Sequence, residues 1–365
     1  MRRENKIRTF VLIVILLFSI MLPLGCSSSK STSSSQPSNK TTLSTNNNAS
    51  STTQVGTVSS TITVGNSPSG IAYDSKMGEM FVANHDDNTV SVILDNNILH
   101  NKNPVIATVK VGTWPTSVAY DSGQGEVYVV SNVGGSISVI SDKTNNVIAT
   151  MTGLTDSPND IVYDSGMKKL FVAESQNGSK NGAVDVIDDI SHRVVATIPT
   201  KGTGTVIVYA AVSGELFIPG DGQNIYAISD STYDVTTIPL ASYPGPAAYD
   251  PAKGEIFVSL PVGETLVSGF SIIKEGKDTV TKTVTTVHPG YFAYNSVKGE
   301  MYTGTADNTI SIITDSGTTA VATLSLSRAS TGPMAYDTSI GKLFVINRAS
   351  QGPSVNTVSV ITPAS

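Results

Sequence analysis

One cysteine and one tryptophan occur in 365 residues, and only 14 % of the residues are charged. A lone cysteine leaves no internal disulfide and no thiolate cluster for a structural zinc ion. The four histidines, His85, His100, His192 and His288, show no HxxxH, HxH or HExxH spacing. Cys-x-x-Cys-His, GxSxG and GxxxxGKS are also missing, so the chain carries no signature of covalent haem, a nucleophile elbow or a phosphate-binding loop. No segment sustains a 3.6-residue period, which excludes leucine-rich and helical arrays. The expectation is a chain without a cofactor.

One long apolar run is present, from Phe10 to Met21, behind Arg2, Arg3, Lys6 and Arg8 and ahead of Leu22-Pro23-Leu24-Gly25-Cys26. A basic n-region, an apolar h-region and a small residue before a cleavage point read as a secretory signal peptide over residues 1–26. Cys26 stands where a lipoprotein carries its lipid. Lipid attachment at Cys26 and a retained membrane helix both remain open, and either places the rest of the chain outside the cytoplasm, anchored to the cell membrane or surface. Residues 27–56 are dominated by Ser, Thr and Asn, with no acidic residue. Such a tract has too little apolar surface to offset chain entropy and is read as a disordered tether. Sequons begin at Asn39, Asn48 and Asn177. Without Arg2, Arg3, Lys6, Arg8 and Glu4 the formal net charge falls from −6 to −9, which argues against a nucleic-acid partner.

What the chain does have is a repeat. Tyr73, Tyr120, Tyr163, Tyr209, Tyr249, Tyr294 and Tyr336 each close a short apolar run, at intervals of 40 to 47 residues, and all but Tyr209 are followed by Asp or Asn. A period in this range marks an array in which each repeat buries its face on the next. The unit at 105–146 contains four β runs, VIATVKVG, SVAYD, EVYVVSN and SISVISD, separated by Gly, Asn, Asp and Pro turns. Four short strands per repeat define a propeller blade. The residue before each tyrosine is small (Ala or Val) and the one before that is mostly bulky. Adjacent strand residues face opposite sides of a sheet, so the tyrosines read as fasteners between blades, not as ligands.

The first strand-like segment, TVSSTITVG at 57–65, has no three strands before it, and the last repeat stops after NTVSVIT at 356–362. The N-terminal strand therefore completes the last blade and removes two exposed edges. The prediction is an all-β fold: a single seven-bladed β-propeller over residues 57–365, with four-stranded blades. The fourth repeat departs most, with Tyr209-Ala210, Gly204 in place of a recurrent Pro, and Pro219 in a strand.

The runs FVANH (81–85), YVVSN (128–132), FVAES (171–175), IFVSL (256–260) and LFVIN (343–347) resemble the YVTN β-propeller repeat, as do DNTVSVI (87–93) and DNTISII (307–313). The likeness covers nearly everything after residue 57. It implies a surface-layer or secreted protein, and its wider clan spans structural surface proteins, binding proteins, lactonases and haem or metal enzymes.

Function in an array sits where the repeat breaks its own rule, because shared positions serve packing. Around the axial opening the variable side chains are Trp114, Asp160, Lys201, Tyr243, His288 and Tyr291 in the turns entering the inner strands. His85, Asp86, Asp87, Asp221 and Arg348 follow the second strands. Trp114, Tyr243 and Tyr291 suggest an aromatic platform for a sugar or peptide, and Trp114, Asp160, Tyr243, His288, Tyr291 and Arg348 are the candidate binding residues. The expected function is non-enzymatic: a cell-surface or envelope-anchored propeller that binds protein or glycan, or serves as a structural module, through its rim. The alternative is a propeller hydrolase or lactonase with an axial divalent metal, for which Asp160, Asp221 and Asp307 are the possible oxygen donors.

Overall fold

The computed structural model describes residues 53–54, 56–154, 157–175, 181–202, 204–261, 268–285, 287, 289–305, 308–314, 320–326, 330–348 and 355–364. The leader with Cys26, the tract before residue 53, His288, Asp307 and the Asn177 sequon lie outside them. No helix among the described residues is long and apolar enough to cross a membrane.

Seven sheets of four antiparallel strands surround the axis, and in the first six the four are consecutive in the chain and run from inner to outer. Blade 1 comprises Pro68–Asp74, Glu79–Asn84, Thr89–Leu94 and Val105–Lys110, and blade 2 Thr113–Asp121, Glu126–Val133, Ser136–Ser141 and Asn146–Thr152. Blade 3 comprises Ser157–Asp164, Lys169–Ser175, Asn181–Asp188 and Arg193–Lys201, and blade 4 Val208–Ala210, Glu215–Pro219, Asn224–Ser229 and Val235–Pro239. Blade 5 comprises Ala247–Asp250, Glu255–Leu260, Gly269–Lys274 and Thr279–Val284, and blade 6 Pro289–Asn295, Glu300–Thr305, Thr309–Thr314 and Ala320–Ser325. Blade 7 takes three strands from the C-terminus, Ser330–Asp337, Lys342–Arg348 and Thr357–Pro363, and its outer strand, Gly56–Thr63, from the N-terminus. Gly56 pairs with Pro363 and Thr63 with Thr357. The all-β, seven-bladed reading and its N-terminal ring closure are thus both observed. Thr53–Gln54, which the sequence places in the tether, adds a short parallel strand to the outer edge of blade 6. The longest repeat interval, between Tyr73 and Tyr120, accommodates a one-turn helix, Asp95–Leu99, between the third and outer strands of blade 1.

The core is divided into seven clusters, each between two neighbouring blades. Every cluster contains one repeat tyrosine from one blade and the small residue that precedes the tyrosine of the blade before it. Tyr120 packs with Ala72, Tyr163 with Ala119, Tyr209 with Val162 and Tyr249 with Val208. Tyr294 packs with Ala248, Tyr336 with Ala293 and Tyr73 with Ala335. The small side chain makes room for the ring of the next blade, which explains why the Ala/Val-Tyr dipeptide recurs.

Four of the tyrosine hydroxyls, those of blades 2 to 5, end in carboxylates. Tyr120 donates to Asp142 at 3.3 Å, Tyr163 to Asp189 at 3.2 Å, Tyr209 to Asp230 at 3.1 Å and Tyr249 to Glu275 at 2.9 Å, each acceptor lying just after the third strand of the same blade. Asp74, Asp121 and Asp164 of the preceding blades also face the Tyr120, Tyr163 and Tyr209 hydroxyls. Burial, followed by these carboxylates, pushes the phenols of all three well above their ordinary range, and burial raises Tyr73 to about 12. The phenols therefore stay protonated donors at any physiological pH.

The acidic residue after the tyrosine has a local task. Asp74 Oδ1 accepts the N–H groups of Lys76 and Met77 at 2.8 and 3.0 Å, and Asp121, Asp164, Asp250, Asn295 and Asp337 cap the equivalent turns in the same way. All but one of these turns close on a glycine, the exception being blade 3, where Lys168 holds the position at φ +55. Gly78, at φ +67, passes so near Asp95 that a Cβ would come within 2.5 Å of its carboxylate, so both the backbone and the space demand glycine there. The asparagine ending the second strand is also structural. Asn84 Nδ2 donates to Thr89 and Ser91 at 3.0 Å, and Asn347 Nδ2 to Thr357 and Ser359 at 2.9 Å, which locks the hairpin that follows.

Two outcomes test the interface. Tyr163→Phe, which leaves buried carboxylate oxygens without their donor, should cost about 1–3 kcal/mol. Ala119→Leu, which fills the space of that ring, should cost a further ~1–3 kcal/mol by overpacking; denaturant midpoints measure both. A chain begun at residue 65 should lose its cooperative unfolding transition and associate through the bared outer edge of blade 7, as read by calorimetry and size-exclusion chromatography.

Candidate functional site

The segments leading into the seven inner strands converge on one end of the axial channel. They enclose a cavity of about 550 Å³ whose wall takes residues from every blade, including Ser69, Ser117, Asn159, Thr205, Pro246, Tyr291 and Pro333. His85 and Arg348, from the ends of the second strands of blades 1 and 7, complete the mouth. Both also line an adjoining groove of about 330 Å³ with Ser67, Pro68, Ser69, Asn347 and Val355. Cavities of this size suit small or chain-like ligands.

Short polar side chains stitch the mouth from blade to blade. Ser69 Oγ donates to the Pro115 carbonyl at 2.7 Å, Thr116 Oγ1 to Asn159 O at 2.8 Å, Asn159 Nδ2 to Gly204 O at 3.2 Å and Ser259 Oγ to Pro289 O at 2.6 Å. These bonds hold the channel wall rigid.

Asp160 belongs to the same stitching. Its Oδ1 accepts the Ser117 hydroxyl of blade 2 and its own neighbour Ile161 N–H (3.0 Å), while Oδ2 accepts Ile207 N–H of blade 4 at 2.9 Å. Blade 4 needs that help. Its inner strand is reduced to Val208–Ala210, so Ile207 lies ahead of the ladder and takes its acceptor from the neighbouring blade. Asp160 is partly exposed to the channel and otherwise enclosed by protein. Burial therefore pushes its carboxyl up to about 6, against the lowering effect of Ser117, Ile207 and Ile161.

Trp114 lies in the turn entering blade 2, 48 % exposed, with its ring stacked on His85 at a centroid distance of 5.1 Å and an interplanar angle of 23°. Its backbone N–H donates to Asn88 Oδ1 at 2.9 Å. His85 Nδ1 in turn sits 2.6 Å from Asp86 Oδ1, and Asp86 also accepts the Ser67 hydroxyl. Beside His85, in the neighbouring blade 7, Arg348 donates to the Tyr291 hydroxyl of blade 6 at 2.9 Å, with its guanidinium 5.1 Å from the ring centroid.

Tyr243 is 55 % exposed and is not part of the channel wall. Trp114 and Tyr243 both precede a proline at the same point of their repeats, in blades 2 and 5. Among the described residues no ring contact joins Trp114, Tyr243 and Tyr291, which stand apart instead of forming one surface. Of the acidic candidates, Asp221 accepts the Tyr226 hydroxyl at 2.6 Å, away from the channel wall. Asp160 is the single carboxylate of that wall among the described residues, which hold no cluster of three His, Cys, Asp or Glu able to bind a metal. Asn88, Ser117 and Asn159 were not singled out by the sequence. Their partners lie in other blades, and only the repeat-breaking Asn159-Asp160 pair offered a signal.

The fold and mouth define a seven-bladed propeller with a polar axial opening. No family model matches the chain, and no curated protein matches it in sequence. Among solved structures, hydrazine synthase from Kuenenia stuttgartiensis is similar, with a TM-score of 0.67 and 17 % identity over 81 % of this chain and 96 % of that one. At that identity the likeness extends to the fold alone.

The raised carboxyl of Asp160 makes its ionisation a cost to folding. The stabilisation is complete below about pH 3.8 and lost as pH rises through about 6, up to ~3 kcal/mol at ~1.4 kcal/mol per unit. Asp160→Asn, whose amide nitrogen cannot accept as the second carboxylate oxygen does, should fall below wild type in denaturant midpoint at pH 4 and lose the wild-type decline between pH 4 and 7.5.

Proposed function

We propose that this protein is an extracytoplasmic binding module of the YVTN-repeat kind, non-enzymatic, with its ligand site at the channel mouth. The observation that carries this reading is the division between the two ends of the blades. The turns after the inner strands vary little on one arrangement of tyrosine, carboxylate and glycine, with the tyrosine–carboxylate bond made in blades 2 to 5 and glycine replaced only by Lys168 in blade 3. The opposite end gathers the side chains that do not repeat, His85, Trp114, Asp160, Tyr291 and Arg348. A position repeated for packing is not available to specify a ligand, whereas the variable end is. The basic and apolar leader, Cys26 and the Ser/Thr/Asn tract support an envelope address with the propeller held off the membrane.

A lactonase-like axial metal has less support. Its ligands would be oxygens converging from several blades, whereas both oxygens of Asp160 already accept protein donors.

The full-length protein should retain material from the cell-envelope fraction of the producing organism. His85→Ala combined with Arg348→Ala should reduce that retention at least tenfold, and Ile148→Ser, on an exposed outer strand, should leave it unchanged. The reverse pattern would sink the proposal. Mass spectrometry of the mature N-terminus reads the address: a diacylated Cys26 is the expected product, and an intact leader would select the retained helix.

A further inference from the structure

Trp114 is held in an unusual way. Its φ of +56 lies in a region that bulky L-residues seldom occupy. Ser67, at the same pre-proline position one blade earlier, shares it at φ +52, whereas Ser157 and Tyr243 at that position in blades 3 and 5 do not. The Asn88 side chain then fixes the Trp114 backbone from blade 1, at 2.9 Å. The indole is backed on one face by His85, which Asp86 orients, while nearly half of the residue's surface stays exposed. A pre-positioned aromatic ring loses little side-chain freedom on binding.

Its surroundings identify the kind of ligand. Aromatic anchors of protein interfaces sit inside a ring of contacts that excludes water. Linked to the Trp114–His85 pair are instead a carboxylate, a hydroxyl and a carboxamide: Asp86 on His85, Ser67 on Asp86, and Asn88 on the Trp114 N–H, with the exposed Val133 across from Thr113 in the sheet. A pyranose is complementary to this arrangement: its C–H face covers an indole, and the hydroxyls at its edge reach donors and acceptors beside the ring. The neighbouring groove, shared by His85 and Arg348, is open and leads to the channel, so it accommodates further units of a chain.

We propose that Trp114 on His85 is a sugar-stacking subsite, and that the mouth binds an oligosaccharide running from Trp114 along the groove. This rests on the reading of the mouth as the binding face. As the only tryptophan in the chain, Trp114 reports on its own occupancy. The full-length protein is titrated with cellohexaose, laminarihexaose, chitohexaose, mannohexaose and a random-decapeptide pool, with tryptophan emission and acrylamide quenching as readouts. At least one hexasaccharide should change the emission saturably and halve the quenching constant. For that sugar Trp114→Ala should weaken calorimetric binding at least tenfold and Trp114→Tyr by no more than threefold, with the circular dichroism of both variants unchanged. Binding that leaves quenching unaltered, a response to the peptide pool alone, or no binding by any hexasaccharide overturns the inference. If envelope retention still depends on His85 and Arg348 in that case, the binding face stands and only its sugar specificity falls.

Discussion

The constraint on which everything else depends is that a ring of sheets cannot be left open. Each blade touches only its two neighbours, so stability is a sum of interfaces, and a missing contact leaves two blades each bare on one side. Pairing of Gly56–Thr63 with Thr357–Pro363 supplies the last contact and joins the ends of the chain. It also fixes the radius. Once seven blades are closed, the inner strands must crowd the axis, and a small residue is required wherever the next blade's tyrosine enters.

The tyrosines do two jobs at that interface. Their rings fill the space between sheets, and their hydroxyls meet carboxylates at one end of the blades. Buried carboxylates without donors would be costly, as would buried phenols without acceptors; in blades 2 to 5 each phenol gives one carboxylate oxygen its donor. At the opposite end the blades are joined by Ser, Thr and Asn side chains bonded to carbonyls of the next blade. This second ring tolerates variety, because any short side chain with a donor can serve. The mouth is therefore free to carry Trp114, His85 and Arg348 without loss of the scaffold, and a rigid wall lies beneath them.

Much of the fold was legible in the sequence because its determinants are local and repeat. The Ala-Tyr-Asp run announces an inner strand, the cap of the next turn and the interface ring, all within a few residues. The site was legible only in outline. Residues that break the repeat were visible as such, but the role of Asp160 was not. It looked like a possible metal ligand and is instead the acceptor for Ser117 and Ile207, 43 and 47 residues away in sequence. Likewise Trp114, Tyr243 and Tyr291 suggested one platform, but they belong to blades 2, 5 and 6, which sets them at separate points around the opening.

The sequence by itself determined the blade count, the four-stranded unit and the irregular fourth repeat, which follow from the period and from contacts between near neighbours in the chain, and the ring closure, which follows from the unmatched strands at the two ends of the array. Only the tertiary structure decided what the mouth contains. The stack of Trp114 on His85, the pairing of Arg348 with Tyr291 across 57 residues and the bridging of three blades by Asp160 are contacts between different repeats. No local pattern encodes them. They exist because closure brings seven turns to one point on the axis, where side chains chosen independently in each repeat become neighbours.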